Sequence, residues 1–185
     1  ADCLFMSIST FLALLVFSFV SSITPGPNNI MLFASGVNFG LRRTIPHMLG
    51  ISFGFGVLLL CVGFGLGEVL ERYPFVFLIF KAFGGAYMLY LAWRIVNSGP
   101  VEVANDSARP MRFYEAALFQ WVNVKAWVMA TVAMSTYTLE GDYTFNVLVV
   151  VFAFCVINLP SVSVWAVFGV AMRRLLDDPV KLKIF

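Results

Sequence analysis

The 185 residues are 61% hydrophobic and only 12% charged, with a mean hydropathy of +0.90. A water-soluble domain carries about a quarter charged residues, so this composition excludes a soluble enzyme or binding module and describes an integral membrane protein. The net charge of +2 is accompanied by no basic face and no aromatic-basic motif, which argues against nucleic acid as a partner.

In chain order, no basic n-region precedes the first apolar stretch and no small-residue cleavage site follows it, so a cleavable signal peptide is not expected. Met6, not Ala1, reads as the natural start, and the termini are expected not to be those of a complete native chain. Five stretches reach the roughly 20 residues needed to cross a hydrocarbon core of about 30 Å: 9–37, 45–67, 74–96, 113–138 and 144–171.

The first stretch is too long for one straight span and is interrupted by Thr24, Pro25, Gly26, Pro27, Asn28 and Asn29. Pro25 and Pro27 each remove a backbone donor, and their rings clash with the preceding turn. Gly26 permits the sharp dihedrals needed between them. Backbone groups freed at this depth need protein partners or water in a cavity. A broken helix here therefore predicts a binding site, with Asn28 and Asn29 as the first polar side chains beside it.

The second and third stretches are rich in small residues. Gly50, Gly54, Cys61 and Gly65 fall near one face, Ser52 and Gly56 form another close-approach pair, and Gly84 and Gly85 follow in the third. Such faces predict close helix packing, and a Gly-rich face could also build a homodimer. Aromatic residues near span ends read as interfacial anchors, whereas Tyr87 is expected to face a cavity. Lys81 is expected either to snorkel to the outer interface or to line a pathway. His47 reads as a solvated interfacial residue. The segment 97–112 reads as a cytoplasmic linker between a first half, 6–96, and a second half, 113–185, of a single transmembrane domain.

The fourth stretch carries Gln120, Asn123 and Lys125. At about 1.5 Å per residue from Phe113, Asn123 and Lys125 lie roughly 15–18 Å deep, level with the break in the first span. Polar groups inside a membrane are costly and need a partner or a task. Glu115 is expected to be solvated or paired with Arg112. In the fifth stretch Asn158 and Pro160 predict a local irregularity facing a pore. Cys3, Cys61 and Cys155 read as small buried hydrophobes. No carboxylate lies at mid-membrane, which leaves Lys125 or a group on the substrate to carry any coupled proton. The chain has no H-E-x-x-H, phosphate loop or G-x-S-x-G, so neither an enzyme nor a cofactor or metal site is expected.

Positive charge alternates along the chain. Arg42, Arg43, Arg94, Arg109, Arg112, Arg173, Arg174, Lys181 and Lys183 fall on one side, and only Arg72 on the other, among Asp2, Glu68, Glu71, Glu140 and Asp142. The positive-inside rule makes the first side cytoplasmic and puts the N-terminus outside.

With T-P-G-P-N-N in the first span, the Gly-rich second span, G-G-A-Y-M-L-Y-L-A-W from Gly84 to Trp93 and the Asn-x-Lys of the fourth, the chain resembles the LysE/RhtB family of amino-acid exporters. The resemblance runs from about Met6 to Arg174. Most of that family has Asn-Pro-Lys where this chain has Asn123-Val124-Lys125; the wording from Gln120 to Lys125 is similar to the cysteine/O-acetylserine exporter branch. The resemblance implies an all-α membrane protein with six spans in a three-plus-three inverted repeat, of which five are present here and the sixth is apparently missing. It also implies proton-driven antiport of a small neutral amino acid out of the bacterial cytoplasm across the inner membrane. On that reading, freed amides beside Pro25, Gly26 and Pro27 would hold the substrate carboxylate. Carbonyls at the break, with Asn28 and Asn123, would take its ammonium, and Lys125 would add a charge or act as the coupling group. A passive channel and a non-transporting assembly subunit remain open alternatives.

Overall fold

The computed structural model describes residues 6–66, 109–139 and 141–176, with isolated positions at 72, 73, 75, 78, 82, 86, 89 and 93. Tyr87, Lys81, Gly84, Gly85 and most of the expected third span and linker lie outside the described residues. Among the described residues the architecture is entirely helical, with six α-helices and one π-helical turn.

Helix α1, Ile8–Ile23, starts at Ser7, whose hydroxyl accepts from the Thr10 amide at 3.2 Å, a side-chain cap for an otherwise orphaned donor. It stops at Thr24, and α2, Pro27–Phe39, begins with Pro27 in its first turn, where the missing N–H breaks no helical bond. The two are bent by 53° at the Pro-Gly-Pro break, as the sequence predicts. Gly40, at φ 78°, turns the chain into α3, Leu41–Cys61. That helix runs into the π-helical turn Val62–Leu66, where Gly65 adopts φ 120°.

The fourth stretch departs from the unbroken span expected for 113–138. It forms two helices, α4 (Phe113–Phe119) and α5 (Val124–Tyr137). Between them the amides of Gln120, Trp121, Val122 and Asn123 each donate to the carbonyl three residues back, a tightening typical of a helix end. Helix α6, Tyr143–Leu176, is one piece of 34 residues with Pro160 inside it, so Asn158 and Pro160 do not interrupt the helix. At about 51 Å it exceeds the hydrocarbon thickness, so it tilts or projects beyond it. Among the described residues, Leu41–Gly65 and Tyr143–Arg173 are long and apolar enough to cross a membrane, and the bent α1–α2 pair makes a third candidate.

Helix α6 packs along α1, α2 and α3, and α3 packs on α4. Small residues bring the backbones together. A side chain at Gly36 would strike the Ala166 carbonyl, and one at Gly169 the Phe33 carbonyl, so α2 and α6 touch main chain to main chain. Gly50 and Gly54, one turn apart on α3, lie against the backbone of Phe113 and Ala117 on α4. This is the small-residue packing that replaces hydrophobic burial in lipid. Gly50 and Gly54 are thus covered within the chain, so this pair of the Gly-rich face is not available to a second copy. Trp127, Phe154, Phe55 and Leu58 centre one buried cluster, and Leu32, Ile51, Ala116 and Val162 a second. The outer faces of α1 and α6 expose Leu12, Val16, Phe19, Phe152, Val156 and Phe168, an apolar surface suited to lipid and unsuited to water.

Candidate functional site

The break in the first span leaves the last carbonyls of α1 without helical partners. The structure supplies donors from three other elements. The Ser21 carbonyl accepts from the Thr24 hydroxyl at 3.0 Å, and the Ser22 carbonyl from the Asn29 side-chain amide at 2.9 Å. The Ile23 carbonyl accepts from the Trp165 indole of α6 at 2.9 Å. The Thr24 carbonyl accepts twice, from Asn29 Nδ2 and from Lys125 Nζ, each at 2.7 Å, and Lys125 also donates to Thr24 Oγ1 at 3.0 Å. At the other side of the break no side chain caps α2, whose N-terminal turn holds Asn28 and Asn29.

The second break faces the first. Asn123 is the N-cap of α5, its side-chain oxygen accepting from the Lys125 amide at 3.2 Å. Gln120, fully buried, pairs reciprocally with Asn28 across the two breaks, at 2.8 and 3.2 Å, and also donates to the Ala116 carbonyl at 2.8 Å. Buried Asn158 joins α6 to both neighbours: its oxygen accepts from Ser52 Oγ on α3 at 3.0 Å, and its amide donates to Ser22 Oγ on α1 at 3.2 Å. Deletion of one partner in such a network leaves a buried polar group unsatisfied.

Together these groups line a narrow cavity of about 20 Å³ whose polar wall includes Ser21, Ser22, Asn28, Asn29, Gln120, Asn123, Lys125 and Asn158. Gly26 and Pro27 lie in the same wall, and Ile51, Phe55, Met129 and Val162 complete it with apolar surface. Thr24 and Pro25 are exposed beside it, and Lys125 is half-buried. A volume of this order holds about one water. Lys125 is the one charged side chain of the lining. It lies over Gly26, where a Cβ would come 2.8 Å from Lys125 Cδ and 3.2 Å from Nζ.

Of the residues predicted from sequence, Thr24, Pro25, Gly26, Pro27, Asn28, Asn29, Gln120, Asn123, Lys125 and Asn158 converge here, while Tyr87 lies outside the described residues. Asn28 and Asn123 are occupied by Gln120 and by the α5 cap, not left open. Ser22, Ser52 and Trp165 are additional members. Their residue types carry no signal of it, because a helical serine can bond its own turn and an indole near a span end reads as an anchor. Glu115 accepts from Arg109 at 2.8 Å and from the Arg112 amide at 2.8 Å; its pairing is thus with the Arg109 side chain. That hydrogen bond raises Arg109 above its ordinary value. His47 is not solvated as expected: it is 2% exposed, and neither ring nitrogen has a partner among the described residues. No three His, Cys, Asp or Glu side chains converge as a metal site among the described residues.

The sequence of this chain matches the family of LysE type translocators over residues 19–182. Among curated proteins it is similar to a cysteine/O-acetylserine efflux protein of Klebsiella pneumoniae, with 36% identity over 130 residues that cover 69% of this chain and 64% of the relative. The proteins of the same name in Salmonella typhimurium and Escherichia coli are each 32% identical, over 160 and 161 residues, covering 85% and 86% of this chain and 81% and 82% of the relatives. The matched region thus spans slightly under two thirds of the Klebsiella relative. No solved structure matches. The described residues are all helical, with apolar spans and two facing helix breaks, and with this sequence match the chain belongs to the LysE type translocator family, whose members are transporters and not enzymes.

Proposed function

We propose that this chain exports small neutral amino acids or their derivatives from the cytoplasm, with cysteine and O-acetylserine as the first candidates. The observation that carries the reading is the convergence of a helix carbonyl end, a helix amide end and one lysine in a single cavity between two broken helices. An amino acid is a zwitterion, and it needs an acceptor site and an anion site a few ångströms apart. The carbonyl end of α1 has the polarity for an ammonium, and the uncapped start of α2 has the polarity for a carboxylate. Ile51, Phe55 and Met129 offer an apolar wall to a short side chain. The names of the curated relatives give the candidate substrates.

In mechanism, the contracted cavity opens when one half of the protein rocks against the other, and the Asn28–Gln120 pair separates to admit the substrate. Asn28 and Asn123 then turn their amides to the zwitterion, and Lys125, the one ionisable side chain of the lining, releases the Thr24 carbonyl. The two helix breaks would be counterparts in the two halves, 6–96 and 113–185, of an inverted repeat. Transport would be driven by the proton gradient across the bacterial inner membrane, with the N-terminus outside, as the distribution of arginine supports.

Cells loaded with cysteine or O-acetylserine and making this chain should release it at a rate that saturates and responds to external pH. Flux that rises linearly with concentration would indicate a channel. Unchanged flux in Asn123→Ala, made at the wild-type level, would remove the site from this cavity.

A further inference from the structure

We propose that the Lys125 ammonium is a tethered stand-in for the ammonium of the substrate: it holds the Thr24 carbonyl in the empty carrier and must leave before an amino acid can bind. The inference rests on the exporter reading above and specifies how its site is regulated.

A carbonyl oxygen has two lone pairs. Those of Thr24 are both taken, by Asn29 and Lys125, each at 2.7 Å. A third donor has to displace one of them. Asn29 is 2% exposed and is also tied to the Ser22 carbonyl, so removing it would leave buried groups unpaired. Lys125 is half-buried on a flexible stem and makes its other side-chain bond to the exposed Thr24 hydroxyl. Lys125 is therefore the donor that yields.

Its position explains why it returns. Lys125 stands in the first turn of α5, the end of a helix dipole that repels a cation, and reaches to the carbonyl end of α1, which attracts one. Nζ passes over Gly26 at the start of α2, so the displaced amine remains within reach of the carbonyl it left. No other lining residue is charged. On the neighbouring elements the described titratable groups, among them His47 and Cys61 on α3, Glu115 on α4 and Cys155 on α6, lie outside the lining, and Glu115 is paired to Arg109.

Coupling follows from exclusion. Protonated Lys125 fills the acceptor site as R–NH3+; when it loses one proton to water on the cytoplasmic side, the amine no longer competes and the substrate ammonium enters. On the outer side the substrate leaves, a proton returns to the amine, and the refilled site carries the empty protein back. One proton enters for each amino acid exported, with no carboxylate required.

The test is reconstituted protein with radiolabelled cysteine kept reduced, comparing wild type with Lys125→Met, which keeps the length of the stem and removes the ammonium. Exchange of internal for external cysteine needs no return of the empty site, whereas net efflux does. In wild type the KM for exchange should rise on acidification. In Lys125→Met that KM should fall and lose its pH dependence, while net efflux drops about tenfold, the scale of a moderate population shift. Lys125→Arg, which cannot discharge, should raise the KM at every pH. A higher KM in Lys125→Met, with normal membrane insertion, would make Lys125 a direct ligand and overturn the proposal. Persistent pH dependence of its KM would do the same. Absence of cysteine exchange in wild type, with other small neutral amino acids exchanged, would change only the substrate, and the KM comparison would be made with those. Absence of any amino-acid exchange would overturn the exporter reading and this proposal together.

Discussion

At the scale of single residues, the side chains around the first break divide into closers and movers. Asn29 is a closer: buried, it satisfies two carbonyls that the helix end cannot, at Ser22 and Thr24. Asn29→Ala should lower stability by about 1–3 kcal/mol, the cost of stranding buried acceptors, read as an earlier unfolding midpoint in detergent. Asn28 is only half-buried and is held by one partner side chain, Gln120, so Asn28→Ala should cost less stability than Asn29→Ala. An equal loss in the two variants would show that burial does not separate their roles. Sequence reasoning reached these residues because prolines and amides are out of place in an apolar run. It did not reach Ser22, and it read Ser52 as a packing residue and not as a partner of Asn158. Their separation in sequence is long, and a hydroxyl on a helix needs no distant partner.

At the scale of elements, the two breaks differ in how they are written. The first is enforced by Pro25 and Pro27, and its position was legible. The second has no proline and no glycine: Gln120 to Asn123 leave the helix through tight turns, and Asn123 caps the next one. A polar residue in a membrane helix signals a partner as readily as a break, so the expectation of one continuous span failed there. The structure places Val124 at the first position of α5, where a proline fits because its N–H is not needed. Val124→Pro should therefore fold with a stability change under about 1 kcal/mol, whereas Ala130→Pro, inside the buried stretch of α5, should cost about 3 kcal/mol or more. Comparable destabilisation by both would contradict a break at Asn123. The glycines were legible as packing surface, but their partner was not. Gly50 and Gly54 serve α4 of the same chain, and helix faces that are alike in composition do not name the helix they meet.

At the scale of the whole molecule, the family membership makes the chain a translocator, and the function proposed here makes it a carrier whose halves meet at the paired breaks. The topology that charge predicts can be read directly. In a cysteine-free background, a cysteine at exposed Leu139 should react with an impermeant maleimide from outside intact cells, and one at exposed Arg42 only after permeabilisation. The opposite pattern would reverse the orientation and the direction proposed for transport. The central claim is that an amino acid is carried through the cavity between the breaks. Its most direct measurement is the initial rate of labelled cysteine efflux from liposomes containing the purified protein, as a function of internal concentration, for wild type and Asn123→Ala. The account predicts a saturating curve for wild type and a rate reduced by about tenfold or more in the variant. A linear dependence in wild type, or the same curve for both proteins at equal incorporation, would contradict it.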